Sequence, residues 1–291
     1  MNFETYLRSK NHTEITIDEH INTLESFKRW AKNKQIQEIE TLKMNDVLEY
    51  VQHLQANENK VGTINNRLNT LKNFFNFQIE NGRIVKNPIR NLNIKGSQKT
   101  VVQNILDEKS LNELYSNYQN YIDAKPERHN IPKAKQDKTN QRYKLIVSLM
   151  IYQGLHTGEL DKLKVEDINL SNGTIYIPST SRSKSRVLPL QPNQLIAFYR
   201  YISDKDTESK LFEIKVQKSH SYILSELKGI NSLIKNAQQI RASVLINWIK
   251  EHGKRKAQYM IGHKYVSTTE SYEIQDTSEL SELLDKVHLF G

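Results

Sequence analysis

The side chains with the clearest catalytic potential lie close together near the end of the chain. Gly262-His263 is followed by three hydroxyl residues at 267–269 and then by Tyr272, nine positions beyond the histidine. A tyrosine oxygen can act as a covalent nucleophile, and an imidazole can donate a hydrogen bond or move a proton. Upstream, Arg241 provides a planar fork of donors that binds phosphate oxygens and keeps its charge. These residue types suit nucleophilic attack on a phosphate.

Other kinds of catalytic site are missing from the sequence. The chain has no cysteine, which excludes a thiol nucleophile, a disulfide scaffold and a Cys-based zinc finger. The histidines at 252, 263 and 288 lack the spacing of metal ligands, and His156-x-x-Glu159 is a pair of weak specificity. No glycine-rich phosphate loop occurs, which argues against nucleotide hydrolysis. We therefore expect neither a metal site nor a cofactor.

The composition indicates a soluble, basic protein. The 291 residues include 42 Lys+Arg against 33 Asp+Glu, so the formal net charge is +9. This length suggests two domains. Charged residues throughout the first twenty positions and the absence of a long apolar run argue against a secretory leader and a membrane span, so we expect a cytoplasmic protein. The charge fits a nucleic-acid partner, and it also fits an ordinary soluble surface.

The first part of the chain predicts a small helical domain. Apolar residues recur with helical spacing in three runs, 17–30, 44–54 and 64–79. Gly82 follows the last run, in the position that a helix C-terminus favours. These features assign residues 1–93 to a helical domain.

The rest of the chain predicts a second domain of mixed structure. Residues 94–104 are polar and lack periodicity, so we interpret them as a linker that leaves 105–291 as the second domain. Helical patterns predominate there, but two short strands, 174–177 and 187–190, flank a basic turn. The lysine-rich stretch 123–142 contains two prolines and predicts an exposed loop. The expected fold class is mainly α with a small antiparallel β-sheet.

Five segments, in order along the chain, resemble the pattern of a known family. They are the helices ending at Asn87-Pro88, the run 153–160, the sheet segments 165–168 and 187–190, the pair Ile240-Arg241, and the run 261–272. Together these resemble the core-binding helices, the Thr-Gly-Leu-Arg-x-x-Glu-Leu box, the small sheet, the His-x-x-Arg box and the Leu-Gly-His box with its tyrosine in the tyrosine recombinase (phage integrase) family. The resemblance covers nearly the whole chain.

The resemblance implies a site-specific DNA recombinase that needs no metal. In this family a tyrosine oxygen attacks a DNA phosphodiester, forms a 3′-phosphotyrosine and releases a 5′-hydroxyl, while cationic donors stabilise the developing charge. Tyr272 matches the nucleophile and Arg241 matches the second arginine. His263 matches the position that donates a hydrogen bond to the phosphate, and Glu159 matches an acidic residue that orients its neighbours.

Three positions depart from the family pattern. The first arginine falls on His156, and loss of one such donor typically costs about 3 kcal/mol in a transition state. The histidine of His-x-x-Arg falls on Gln238, which donates hydrogen bonds but does not shuttle protons. The catalytic lysine falls on Ser181, which lies in the turn between the two strands. The length of this turn can vary. Either Arg182 or Lys184 could replace it, and Lys184 is the better acid for the leaving 5′-oxygen.

The resemblance also implies that the two domains clamp double-stranded DNA and that free monomers assemble into a homotetramer on two duplexes. Basic side chains on both domains are the expected contacts to the phosphate backbone. They are Arg67, Lys72, Lys95, Arg182, Arg186, Lys254 and Arg255. After Tyr272, an apolar stripe at 280–289 predicts a helix that packs on a neighbouring protomer or on its own core.

Two other classes of function stay open at the level of sequence. One is an inactive relative that still binds DNA and acts as a regulator, and the other is a helical protein–protein adaptor. Tyr272, Arg241 and His263 are all kept in register, which favours an active enzyme of a divergent branch. In that enzyme the other expected catalytic residues, which fill altered roles, are His156, Gln238 and either Lys184 or Arg182.

Overall fold

The structure, a computed structural model, is predominantly helical and has one three-stranded antiparallel sheet within its described residues. This confirms the predicted fold class. The chain divides into two compact units, residues 1–100 and 101–291, and the division falls inside the stretch interpreted as a linker. The described residues are 2–36, 39, 42–96 and 104–272.

The N-terminal unit is built from helices that pack around an aromatic cluster. The helices are α1 (Phe3–Ser9), α2 (Glu14–Asn33), α3 (Met44–Ala56) and α4 (Val61–Glu80). The rings of Phe27, Trp30 and Tyr50 lie 4.8 to 5.6 Å apart, centroid to centroid, and join α2 to α3. The periodic runs predict α2, α3 and α4 correctly, whereas α1 is too short to show a periodic pattern.

The end of this unit is held by one amide side chain. Asn65, on α4, accepts a hydrogen bond from the backbone N–H of Ile94 at 2.9 Å and donates one to its carbonyl at 3.0 Å. Both backbone groups are thereby satisfied where no regular structure is present. The chain therefore stays attached to α4 as far as Ile94.

The C-terminal unit surrounds its apolar core with helices and places the sheet at one side. Its helices are α5 (Glu108–Asp123), α6 (Lys133–Tyr152), α7 (Thr157–Leu160), α8 (Pro192–Ile202), α9 (Val216–Ile230), α10 (Ala237–His252) and α11 (Lys254–Ile261). The strands, in the order in which they pair, are β1 (Ile168–Asn169), β2 (Thr174–Ile177) and β3 (Arg186–Pro189). A further helical segment spans 266–272. Both predicted strands are therefore present, the second shifted by one residue.

The prediction of a loop over 123–142 is wrong for its second half. Helix α6 begins at Lys133, directly after Pro132 in the N-cap position. The fixed φ of proline suits the start of a helix, and polar residues that face solvent form the first turns. Residues 145–151 of the same helix are buried. The polar residues of the first turns therefore lead to the prediction of a loop, although they begin a helix whose second half lies in the core.

No helix in the described part of the chain is long and apolar enough to cross a membrane. The described residues also contain no group of three or more His, Asp or Glu side chains arranged to bind a metal ion. The expected tail helix at 280–289 lies outside the described residues.

Candidate active site

A buried carboxylate lies at the centre of the candidate site, which belongs entirely to the C-terminal unit. Glu159 is the third residue of the short helix α7, and its side chain has no exposed surface. Its Oε1 accepts a hydrogen bond from Nη1 of Arg186 at 2.7 Å, and its Oε2 accepts one from Nη1 of Arg241 at 3.0 Å. The backbone N–H of His156 also donates to Oε2, at 3.1 Å. One carboxylate therefore binds guanidinium groups from two elements, β3 and α10.

The electrostatics of this cluster favour an anionic ligand. Burial alone would raise the pKa of Glu159, but Arg241 and Arg186 outweigh it and lower that pKa to about 2. Burial lowers the pKa of Arg241, and the adjacent Glu159 opposes this. Guanidinium groups stay protonated in proteins. The cluster thus holds two cations and one anion, which leaves one positive charge uncompensated.

Both arginines also bind the C-terminal end of α11. Nε of Arg186 donates to the carbonyl of Met260 at 2.6 Å, and Nη2 of Arg241 donates to the carbonyl of Ile261 at 2.7 Å. The last carbonyls of a helix lack partners within the helix, and the negative end of its dipole attracts cations. The two side chains therefore fix the position at which α11 ends.

A glycine at this point turns the chain toward the histidine. Gly262 has a φ of +80°, in the left-handed region, and a Cβ there would overlap Nη1 of Arg186. Only glycine meets both requirements at low cost. The N–H of Lys184 donates to the carbonyl of Gly262 at 2.9 Å, and Ser183 forms an isolated β-bridge with His263. The basic turn before β3 is thus attached to the corner that holds His263.

The structure brings the predicted nucleophile and the predicted phosphate donor side by side. The rings of His263 and Tyr272 stack, with centroids 6.0 Å apart and an interplanar angle of 26°. Nδ1 of His263 lies 2.9 Å from the hydroxyl of Thr269, which is fully buried, and either atom could be the donor. Burial, Arg241 and Arg186 lower the pKa of His263 to about 4. The ring is therefore neutral at pH 7, and its Nε2 has no hydrogen-bond partner within residues 104–272.

His156, at the position where the family pattern has its first arginine, caps a short helix. It is the N-cap of α7, where Nδ1 accepts hydrogen bonds from the N–H groups of Gly158 at 3.0 Å and Glu159 at 3.3 Å. Nδ1 is therefore unprotonated and the neutral ring has its proton on Nε2, which is buried and lacks a hydrogen-bond partner among the described residues. Burial lowers the pKa of His156, with Arg241 and Arg186 acting in the same direction. The side chain is neutral and fixed by its cap.

The remaining predicted catalytic residues are exposed around this cluster. Gln238 precedes Arg241 by one turn of α10, on the same side of the helix. Arg182 and Lys184 lie in the turn before β3, and the ammonium of Lys184 has no ion pair within residues 104–272. Nζ of Lys264 donates to the carbonyl of Ser181 at 2.8 Å and holds the tip of the turn.

The expectation that Arg186 is a surface contact for DNA is wrong. Its side chain has no exposed surface, because Glu159 and the end of α11 hold it inside the unit. Strand alternation indicates this position: Arg186 and Leu188 face inward, whereas Val187 and Pro189 are exposed. The basic composition of the turn masked that signal.

The other predicted DNA contacts lie at accessible positions on their own units. Lys95, Arg182 and Arg255 are exposed. Lys72 and Arg67 are partly buried, and they donate to the side-chain oxygens of Asn93 and Tyr50, respectively, at 3.0 and 3.4 Å. Lys254 forms an ion pair with Glu270 at 3.5 Å. The role of each of these residues in DNA binding stays a prediction.

Two family models match the chain. The model of the phage integrase family matches residues 121–279, and the model of the phage integrase N-terminal SAM-like domain matches residues 1–82. Among solved structures, the XerH site-specific recombinase bound to a palindromic difH substrate has a TM-score of 0.67 at 17% identity, covering 96% of this chain and 82% of that one. A lambda integrase dimer bound to a COC′ core site has a TM-score of 0.64 at 15% identity, covering 91% and 94%. These likenesses support the fold.

The chain is also similar in sequence to proteins that are named as recombinases or as a resolvase. Tyrosine recombinase XerC of Oceanobacillus iheyensis is 22% identical, covering 98% of this chain and 94% of that protein. Tyrosine recombinase XerA of Pyrococcus furiosus is 25% identical, covering 99% and 93%. The TnP I resolvase of Bacillus thuringiensis is 24% identical, covering 72% and 69%. Since the phage integrase model matches more than half of the sequence, the chain belongs to the phage integrase family and is a tyrosine site-specific recombinase.

Proposed function

We propose that this recombinase cleaves and rejoins DNA strands through Tyr272. The oxygen of Tyr272 forms a bond to the scissile phosphorus while the bond from phosphorus to the 5′-oxygen breaks. The phenolic proton leaves to solvent, and the 5′-oxygen takes a proton from Lys184. Attack by a 5′-hydroxyl on the phosphotyrosine reverses the step and releases the enzyme. The observation that supports this most directly is the stacking of Tyr272 on His263, beside the arginine cluster.

The proposed roles of the other residues follow from their surroundings. Arg241 keeps 17% of its side chain exposed while Glu159 and two backbone carbonyls fix its orientation, which supports a role in binding a phosphate oxygen. A neutral His263 offers one hydrogen-bond donor without adding a charge. Lys184 lies next to this corner through its backbone and has an accessible ammonium group. Gln238, on the same side of α10 as Arg241, adds a neutral donor.

The test is covalent capture on a nicked duplex. The duplex is selected from a random-sequence library by the protein itself and then nicked beside the scissile phosphate, so that the freed strand diffuses away. The wild-type protein should form an adduct that resists SDS, and Tyr272→Phe should bind the same duplex without forming it. Tyr265→Phe is the matched control, because Tyr265 lies seven residues earlier with 72% of its surface exposed. A selected duplex that is bound but never captured would instead support a DNA-binding regulator.

The proposed partner is double-stranded DNA, and the proposed active assembly is a homotetramer formed from monomers. The solved relatives include complexes with DNA, among them XerH with difH and the lambda integrase dimer with its core site. In this chain, a cavity of about 490 Å³ lined by residues of α5, α6, β3, α10 and α11 offers an apolar wall to the tail of a neighbour. Its apolar lining includes Leu111, Ile151, Val244, Trp248 and Met260. We also propose a cytoplasmic location, where DNA is accessible.

Assembly can be tested by sedimentation. Without DNA, the full chain should sediment as a monomer. With the selected duplex, it should sediment as a complex that contains several protein chains. A chain truncated after 279 should still bind one duplex but lose the multimer. Trp248→Glu, a substitution in the cavity wall, should cause the same loss of the multimer. Multimers that persist in both the truncated chain and Trp248→Glu would contradict the proposed docking.

A further inference from the structure

The guanidinium that the family pattern expects at position 156 is absent there, yet a second guanidinium is present at the same carboxylate. His156 caps α7 as a neutral ring, and Glu159 receives its second arginine from β3. We propose that Arg186 supplies the positive charge for the scissile phosphate that position 156 lacks. The inference rests on the proposed function, because it concerns the phosphate that Tyr272 attacks.

The two arginines bind the same groups, although Arg186 is fully buried and Arg241 keeps 17% of its side chain exposed. Arg186 and Arg241 bind opposite oxygens of the Glu159 carboxylate, and they donate to the successive carbonyls of Met260 and Ile261. Both therefore flank the corner that leads into His263. A cation at either position acts on the same small volume of the site.

The hydrogen bonds of Arg186 leave one donor without a partner. Nε binds the carbonyl of Met260, and Nη1 binds Glu159 and the carbonyl of Lys184, at 3.3 Å. Nη2 is buried and has no hydrogen-bond partner among the described residues. Buried polar groups are nearly always paired in native proteins, so an orphaned one needs an explanation. Because Nη2 and the rest of the side chain have no accessible surface, Arg186 acts on the phosphate through its charge and not through a direct hydrogen bond.

The charge balance of the site requires Arg186. His156 and His263 are neutral at pH 7, since burial lowers the pKa of each ring. Glu159 alone would neutralise Arg241 and leave the site without net charge. Arg186 restores one positive charge next to the position of the phosphate. A fixed positive charge next to the phosphate stabilises the negative charge that develops in the transition state.

The first test compares two scissile linkages in the selected nicked duplex, a normal phosphate and a methylphosphonate, which has one negative charge fewer. Arg186→Gln should slow single-turnover cleavage of the phosphate about 100-fold or more, a loss typical of removing one preorganised electrostatic group. The methylphosphonate should be cleaved at close to the wild-type rate. Arg200→Gln, at an exposed position near the end of α8, should leave the ratio of the two rates unchanged. Equal loss on both linkages in Arg186→Gln would mean a purely structural role and would overturn the proposal.

The second test does not depend on the folding of an Arg186 variant. His156→Arg in the otherwise unchanged chain should raise the cleavage rate by no more than a few-fold, because the charge is already present. An increase of about 100-fold would show that position 156 lacks a charge that Arg186 does not supply. In the double variant with Arg186→Gln, the new arginine should restore cleavage of the phosphate. If the wild-type protein forms no Tyr272-dependent adduct, the proposed function itself fails, and that result is distinct from an unchanged rate ratio.

Discussion

Gly262 lies directly against the guanidinium of Arg186. A Cβ at position 262 would overlap Nη1 of that arginine, lie 2.9 Å from its Cζ, and lie 3.1 Å from the carbonyl oxygen of Lys184. Neither neighbour can move freely, because Arg186 is bound to Glu159 and Lys184 is bound to the backbone of Gly262. The glycine that ends α11 therefore also determines how closely the buried arginine approaches His263.

Gly262→Ala should destabilise the protein and weaken cleavage. The substitution places a side chain in the left-handed region, which costs about 1–3 kcal/mol, and it pushes Arg186 away from the corner. Urea unfolding measures the stability, and adduct formation on the nicked duplex measures the activity. Gly229→Ala is the control, because Gly229 lies in α9 with open space around it. Alanine there should stabilise the helix by about 0.5–1 kcal/mol, and equal effects at both glycines would contradict the argument.

Thr269→Val should impair cleavage more than it impairs folding. The hydroxyl of Thr269 is the described partner of Nδ1 in His263, so valine removes the bond that fixes the ring while preserving the shape of the side chain. Leaving a buried partner unpaired costs about 1–3 kcal/mol. The single-turnover rate should fall about tenfold or more, since 1.4 kcal/mol corresponds to a factor of ten. Thr268→Val, at an exposed position, should change neither the single-turnover rate nor the free energy of unfolding measured in urea.

The segments with strong periodicity or family motifs are the parts of the chain that sequence reasoning locates well. Helices α2 to α4 follow their apolar runs, and strands β2 and β3 follow their short alternating patterns. Only the apolar second half of helix α6 is predicted from the sequence. Its first turns consist of polar residues that resemble a loop, so the start of the helix is missed. The resemblance to the family motif also singles out His263 and Tyr272, whose rings stack in the structure.

The internal contacts of the site are harder to infer from sequence. The cap formed by His156 depends on where the four-residue helix α7 begins, and no periodic pattern marks so short an element. Arg186 lies among other basic residues of a turn, and its burial depends on a partner 27 positions away in sequence. Alternation with Leu188 indicates the inward direction, but the carboxylate that makes an inward arginine tolerable is visible only in three dimensions.

Acid should weaken the folded state through Glu159. Its pKa is about 2 in the folded protein, below the ordinary value of 4.5, so its contribution to stability is complete above about pH 4.5 and is lost as the pH falls toward 2. The difference corresponds to about 3 kcal/mol. Urea unfolding across this range should show a steeper loss for the wild-type protein than for Glu159→Gln. The variant should lose about 3–5 kcal/mol at neutral pH, because it leaves two guanidinium groups without a counter-ion.

A surface carboxylate provides the comparison for this prediction. Glu166 pairs with Lys164 at 2.8 Å, and about half of each side chain is exposed. Exposed pairs contribute about 0–1 kcal/mol, so Glu166→Gln should hardly change the stability at neutral pH. A pH profile of Glu159→Gln that parallels the wild-type profile would show that Glu159 is not the group responsible.

Lys184, rather than Arg182, should protonate the leaving 5′-oxygen. Both lie in the exposed turn before β3, but only lysine has a pKa in water low enough to release a proton readily, and the backbone of Lys184 is bonded to the corner at Gly262. Lys184→Ala should slow cleavage of the normal duplex by about 100-fold or more, within the range for a general acid. A duplex with sulfur in place of the bridging 5′-oxygen should be cleaved by this variant at nearly the wild-type rate, since a thiolate leaves without a proton. Arg182→Ala should weaken DNA binding, and the sulfur substitution should give it no advantage over the wild-type protein. If sulfur rescued Arg182→Ala and left Lys184→Ala slow, the two assignments would have to be exchanged.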